Sequence, residues 1–130
     1  MKKDTKNWLD MVDYDLITVR QMFETGRYVY VIFMCHMAIE KALKGIVCEE
    51  TDKVPPKTHD LIYLTGIGKV KLNPDLLDFI GMINNAGIVT RYPEDLSKLV
   101  SSYPRDIAKE YLEKTQEVIK CLKQNPALRE

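Results

Sequence analysis

The sequence predicts an all-α protein, an up-and-down bundle of about five helices. Three observations carry that prediction. Apolar residues recur at steps of three and four along most of the chain, and no segment alternates apolar and polar side chains over the length of a strand. Glycines and prolines then cut the chain into pieces of helical length. With 130 residues, 45% apolar and 29% charged, the composition suits one folded domain spanning 1–130 rather than a disordered chain.

Trp8, Val12, Leu16, Val19 and Phe23 draw one stripe down a first amphipathic helix, with Asp10, Asp13 and Arg20 on its other faces. Gly26 stops it, since glycine tolerates the left-handed backbone of a helix end. A second helix runs from Arg27 to about Glu49, with no glycine or proline before Gly45. Its first half, Tyr28 to Cys35, is apolar all round, and periodicity alone would also allow a buried strand there. Met37 to Lys44 is built of strong helix formers and no turn separates the halves, so one central helix packed on several sides satisfies both.

Pro55 and Pro56 break the chain. Thr58 is then placed as the N-cap of a short helix from His59 to about Thr65, which Gly66 and Gly68 end. Asn73–Pro74 is a cap followed by a first-turn proline, and opens a fourth helix through Leu76, Leu77, Phe79, Ile80 and Ile83 to around Ile88. Thr90 to Tyr103 reads as a long connection, of a length that tends to serve function or an interface. The last helix opens near Pro104, presents Ala108, Tyr111, Thr115, Val118 and Leu122 on one face, and stops before Pro126.

Nineteen Lys and Arg balance nineteen Asp and Glu, so the net charge is zero. That excludes a nucleic-acid binder working through a broad positive field, while single basic residues remain able to hold a phosphate or an RNA end. It also favours self-association, and Tyr28, Tyr30 and Phe33 give the central helix more apolar surface than one small bundle covers, so a homodimer is expected. Cys35, Cys48 and Cys121 form no disulfide framework and no CxxC hook, and all three are expected as buried free thiols. No apolar signal core follows Met1, and the longest apolar run is well short of the roughly 20 residues that span a bilayer, so a cytoplasmic protein without membrane contact is expected.

His36, Glu40 and Lys44 stand at i, i+4 and i+8 on one side of the central helix, with Lys41 flanking them. One reading is a solvated face carrying an ordinary Glu40–Lys44 pair. The other is a polar patch at the edge of a cleft or subunit contact, where a histidine and a lysine meet a phosphate. No pair among His36, His59, Glu40 and the cysteines has a recognised metal-ligand spacing, and no metal is expected. His59 beside Asp60 reads as a capping-region pair. There is no GxSxG, no cysteine beside a base, and no glycine-rich phosphate loop after a strand. Arg91, between a helix end and Pro93, is either a flexible cationic fork for carboxylate or phosphate, or a residue closing the fourth helix against its last carbonyls.

Four landmarks now stand in order. They are Trp8 with Asp15-Leu16, the segment Tyr28 to Lys44 ending Ala38-Ile39-Glu40-Lys41-Ala42-Leu43-Lys44, Thr58-His59-Asp60-Leu61 after the prolines, and Arg91-Tyr92-Pro93. From about Asn7 to Leu122 the chain resembles a HEPN domain (higher eukaryotes and prokaryotes nucleotide-binding). The resemblance implies a four- or five-helix bundle that forms a homodimer. It also implies a partner, a minimal nucleotidyltransferase in a toxin–antitoxin or related two-component module, and a nucleotide or other polyanionic ligand, with ATP the simplest. Many members resemble metal-independent ribonucleases with an Arg-x(4–6)-His motif.

That motif is not found. Eight residues separate Arg27 from His36, no histidine follows Arg91, and Arg105 with Tyr111 lies on the last helix, away from the expected place. Without the histidine the cleavage mechanism lacks its acid–base partner. The reading is therefore a non-catalytic module with no resident cofactor, whose ligand meets Arg91, Tyr92, His36, Glu40, Lys41 and Lys44. Arg91 and the lysines would hold phosphate, Tyr92 would stack a base, and His36 and Glu40 would set hydrogen-bond geometry. The alternatives are a ribonuclease toxin with a non-standard site and a structural dimerisation module.

Overall fold

Six α-helices take up the apolar spacing in a computed structural model that describes residues 1–129. They are α1 (Lys3–Glu24), α2 (Tyr28–Thr51), α3 (Leu61–Ile67), α4 (Pro74–Arg91), α5 (Leu96–Ser102) and α6 (Arg105–Lys123), followed by a 3-10 turn at Pro126–Leu128. No strand occurs among the described residues, and none of their helices is long and apolar enough to cross a membrane.

α2 is the axis of the bundle. It packs against all five other helices and the 3-10 turn. Val31, Ile32, Cys35, Ala38, Ile39, Leu43 and Ile46 have no exposed surface, so the all-round apolar half is a rod inside the core and not a strand. Each such Ile or Leu contributes about 1.5–3 kcal/mol by leaving water. α1 runs antiparallel beside it. At one end Lys2 donates to Glu49, its backbone N–H to Oε1 at 2.8 Å and its ammonium to Oε2 at 3.1 Å. Midway, Lys41 Nζ reaches Asp15 Oδ2 at 2.7 Å. Gly45 lets the two helices approach, because a Cβ there would stand 3.3 Å from the Cβ of Trp8.

The extra helix is α5, inside the segment read from sequence as a connection. The Asp95 side chain caps it by accepting from the Lys98 backbone N–H at 3.1 Å. None of its residues is buried, so no core-facing stripe announces it. α4 also continues to Arg91, three residues past the expected end. Its Asn73 cap is as predicted, accepting from Leu76 N at 2.9 Å.

Two expectations need correction. The N-cap of α3 is Asp60, which accepts from the backbone N–H groups of Ile62 and Tyr63 at 3.0 and 3.2 Å. Thr58 instead accepts from Asp60 N at 3.1 Å, one step upstream, and His59 precedes the helix. Cys35 and Cys48 are buried free thiols, but Cys121 is exposed, because on strongly amphipathic α6 it falls on the outward face beside buried Leu122. Burial pushes the Cys35 thiol up to about 12, so it stays protonated and unreactive.

Asp60→Ala is expected to lower unfolding stability by about 1 kcal/mol through the lost cap, with a smaller loss for Thr58→Ala. Urea denaturation of the two variants beside the parent measures both, and equal losses would contradict the assignment.

Candidate functional site

The polar strip of α2 faces inward. His36 is 1% and Glu40 3% exposed, and Lys44 is also buried. The solvated-face reading therefore gives way, because the neighbouring helices cover this part of α2. Lys44 Nζ donates to Glu40 Oε2 at 3.2 Å and lies 5.8 Å from the Trp8 ring centroid.

The other oxygen of Glu40 is held from a different part of the chain. His59 Nδ1 lies 2.8 Å from Glu40 Oε1. A carboxylate only accepts, so Nδ1 carries a proton in this pair. The His59 side chain is half-exposed, so a buried carboxylate orients an imidazole that reaches solvent. His59 is thus a partner of Glu40 and not a capping residue.

His36 lies against α4 where that helix has no side chain. A Cβ on Gly87 would stand 2.2 Å from His36 Cδ2, so only glycine admits the imidazole. His36 Nδ1 is buried without a hydrogen-bond partner, 3.9 Å from Glu40 Oε1. Burial lowers the His36 pKa from its usual value, Glu40 pulls the other way, and the positive fields of Arg91 and His59 lower it further.

His36, His59, Asn84, Gly87, Arg91 and Tyr92 line one open cleft of about 260 Å³ between α2 and α4. Asn84 ties its floor together, accepting from Leu61 N at 2.9 Å and donating to Asp60 Oδ1 at 3.2 Å. Arg91 sits in the last turn of α4 but does not close that helix. Its side chain crosses to α2, with Nη2 donating to Met37 Sδ at 3.2 Å and the guanidinium 5.0 Å from the Phe33 ring centroid. Among the described residues no carboxylate pairs with it. Tyr92 stands at the mouth, 71% exposed.

Of the six residues singled out in sequence, the fold brings His36, Arg91 and Tyr92 to the cleft, with Glu40 beneath it through His59. Lys41 and Lys44 are engaged elsewhere, on Asp15 and Glu40. His59, Asn84 and Gly87 escaped the spacing argument, which works within one helix, whereas His59 is 19 residues from Glu40. The Thr58-His59-Asp60 landmark marked the place without its role. No three His, Cys, Asp or Glu side chains converge in a metal-holding group among the described residues. Chemically, the cleft offers a guanidinium fork and an oriented imidazole, a pair suited to an anionic ligand.

Comparison with known proteins agrees in fold. The family model described as HEPN domain matches residues 5–125. The crystal structure of TT1696 from Thermus thermophilus is similar, with TM-score 0.79 and 22% identity over 95% of this chain and 98% of that one. The crystal structure of ST0689, an archaeal HEPN homologue, has TM-score 0.72 and 22% identity over 95% and 97% of the two chains. Among curated proteins there is no match.

Two outcomes follow from the packing of His36. In the unfolded chain a histidine takes up its proton at about pH 6.5. The folded one, with its pKa lowered, does so only at lower pH, so stability should fall as pH drops below about 6.5. Urea midpoints at pH 7.5 and 5.5 should separate more for the parent than for His36→Gln, and parallel slopes would refute this. Gly87→Ala should cost about 1–3 kcal/mol by overpacking the imidazole.

Proposed function

The chain belongs to the HEPN domain family, and on that premise we propose that it is a non-catalytic helical module binding a nucleotide or another phosphate-bearing ligand in the cleft between α2 and α4. The observation that carries this is Arg91, a half-buried guanidinium without a carboxylate partner among the described residues, in the same cleft as His59. Arg91 holds phosphate oxygens through its fork, His59 adds a directed hydrogen bond, and Tyr92 offers a ring at the mouth. Glu40 orients His59. Lys44 and Lys41 support the site from behind, by completing Glu40 and by anchoring α1 through Asp15.

The module works as a homodimer or against a separate minimal nucleotidyltransferase. Support comes from the outward face of α4, where Leu77, Met82, Ile88 and Val89 are exposed and, with Tyr92 just past its end, leave an apolar surface for a partner. Of the residues that suggested self-association from sequence, Tyr28 and Phe33 are half-buried within the chain and Tyr30 is exposed. That face ends at the cleft, so a partner seated there lies beside the ligand.

One observation favours a second reading, a ribonuclease with a non-standard site. The linear Arg-x(4–6)-His motif is absent, yet His59, oriented by Glu40, shares a cleft with Arg91. An imidazole nitrogen can take the proton of a ribose 2′-hydroxyl as that oxygen bonds to phosphorus and the 5′-oxygen leaves, while a guanidinium stabilises the negative charge gathering on the phosphoryl oxygens.

Calorimetric titration with ATP and with a short RNA tests the first reading. Arg91→Ala and His59→Ala are each expected to weaken binding roughly tenfold, about 1.4 kcal/mol, and no heat from either ligand at millimolar concentration would overturn it. Lys41→Ala should leave affinity alone and lower stability by roughly 1–3 kcal/mol. RNA cleavage that disappears in both the Arg91 and His59 variants would establish the second reading instead. Light scattering should show a dimer at micromolar concentration, broken by Ile88→Glu if the partner is a second copy.

A further inference from the structure

A larger cavity of about 460 Å³ lies between the first turn of α2 and α5. Tyr28, Phe33 and Tyr103 give it aromatic walls, and Leu96 and Val100 close it from α5. No acidic side chain lines it. Two arginines do, Arg27 and Arg91, and neither has a carboxylate partner among the described residues. The backbone adds charge of the same sign. α2 starts with no side-chain cap and no acidic residue in its first turn. The N–H groups of Tyr28, Val29 and Tyr30 have no acceptor inside the helix, and among the described residues none elsewhere in the chain. The macrodipole places roughly half a positive charge at that end.

We propose that this cavity docks an acidic, apolar segment of a partner protein, with a carboxylate side chain on Arg27 and the start of α2 and a neighbouring apolar side chain between the aromatic walls. Charge complementarity sets the sign of the partner, because apolar walls strengthen the attraction for a carboxylate and a lysine there is repelled. The rim sets its size. Tyr30, Leu96 and Val100 are 51%, 62% and 53% exposed although all three border the cavity. A small acid filling the cavity leaves that rim in water, whereas a polypeptide laid across the opening covers it. This surface shares none of the α4 residues assigned to a partner above, and Arg27 does not line the cleft, so it stands apart from the phosphate reading.

α5 supplies the receiving edge. None of its residues is buried, and a helix of seven residues has little stability of its own. Leu96 and Val100, four residues apart, share one side, and that side borders the cavity. An apolar segment seated there gives α5 the burial that the core of the chain does not. Recognition is of the groove kind, in which apolar anchors give affinity and the two arginines select the charge.

The probe is a short synthetic peptide in which glutamate alternates with leucine and phenylalanine, titrated into the full chain by calorimetry. Two control peptides carry lysine for glutamate, or serine for the apolar residues. The acidic apolar peptide is expected to bind roughly tenfold or more tightly than either control. Arg27→Glu, at an exposed position, should reverse the preference in favour of the lysine peptide, whereas a merely structural loss would weaken both. Val100→Glu should weaken the acidic peptide roughly tenfold by placing like charge in the wall. Equal binding of the glutamate and lysine peptides, no binding of the acidic one at millimolar concentration, or an affinity unmoved by both substitutions would overturn the proposal. N-acetylphenylalanine bound as tightly as the peptide would reduce the cavity to a small-acid site and overturn it too. A fall in molecular mass by light scattering in Val100→Glu, with no peptide bound by the parent, would give the cavity to a second copy instead. None of these results touches the phosphate reading, which ATP and Arg91→Ala test separately.

Discussion

A carboxylate in the middle of the core sets the terms for the rest of the molecule. Glu40 is almost without solvent contact on the central helix, and a charge so placed costs several kcal/mol unless its oxygens are paired. Lys44, one turn on, satisfies Oε2 from the same helix. No residue of α2 is bonded to Oε1 at hydrogen-bonding distance, so the second partner comes from outside it. His59 fills that role, and docking it brings the Pro55–Pro56 segment and the start of α3 against the middle of the bundle. An interaction required for burial thereby holds an imidazole at the edge of a cleft.

The far wall of the cleft depends on a missing side chain. α4 comes so close to α2 that the His36 ring occupies the space a Cβ on Gly87 would need. The same approach carries Arg91, one turn further along α4, across to Met37 and Phe33. The guanidinium therefore rests on a sulfur and an aromatic face, contacts that hold it in place while leaving its charge uncancelled. Neutral His36 and cationic Arg91 are compatible for the same reason. The field of Arg91 adds to burial in keeping the imidazole deprotonated.

Much apolar surface is still left in water. The outward side of α4 and the cavity side of α5 both carry exposed aliphatic and aromatic residues, and the chain has no net charge to keep copies apart. The two surfaces meet near Arg91 and Tyr92. A ligand in the cleft and a partner on that surface, as proposed, would lie side by side, where each could alter the environment of the other.

The linear sequence was enough to determine the helical class, the long central rod, the Asn73–Pro74 start, the amphipathic last helix and the membership that four landmarks in order imply. These are local matters, set by periodicity, capping chemistry and chain breakers within a few residues of one another. It also marked His36, Glu40, Arg91 and Tyr92 as unusual. What it left open was the side of α2 that faces protein, since a polar strip at i, i+4 and i+8 looks alike in water and in a core. Only tertiary packing turned that strip inward, paired Glu40 with a histidine 19 residues away, sent Lys41 to Asp15, and made Gly87 the seat of His36. α5 stayed hidden because its apolar residues face a cavity and not the core, so no stripe of core spacing marks it. Partners in the site come from different helices, and their meeting depends on how those rods approach, which no spacing along a single rod encodes.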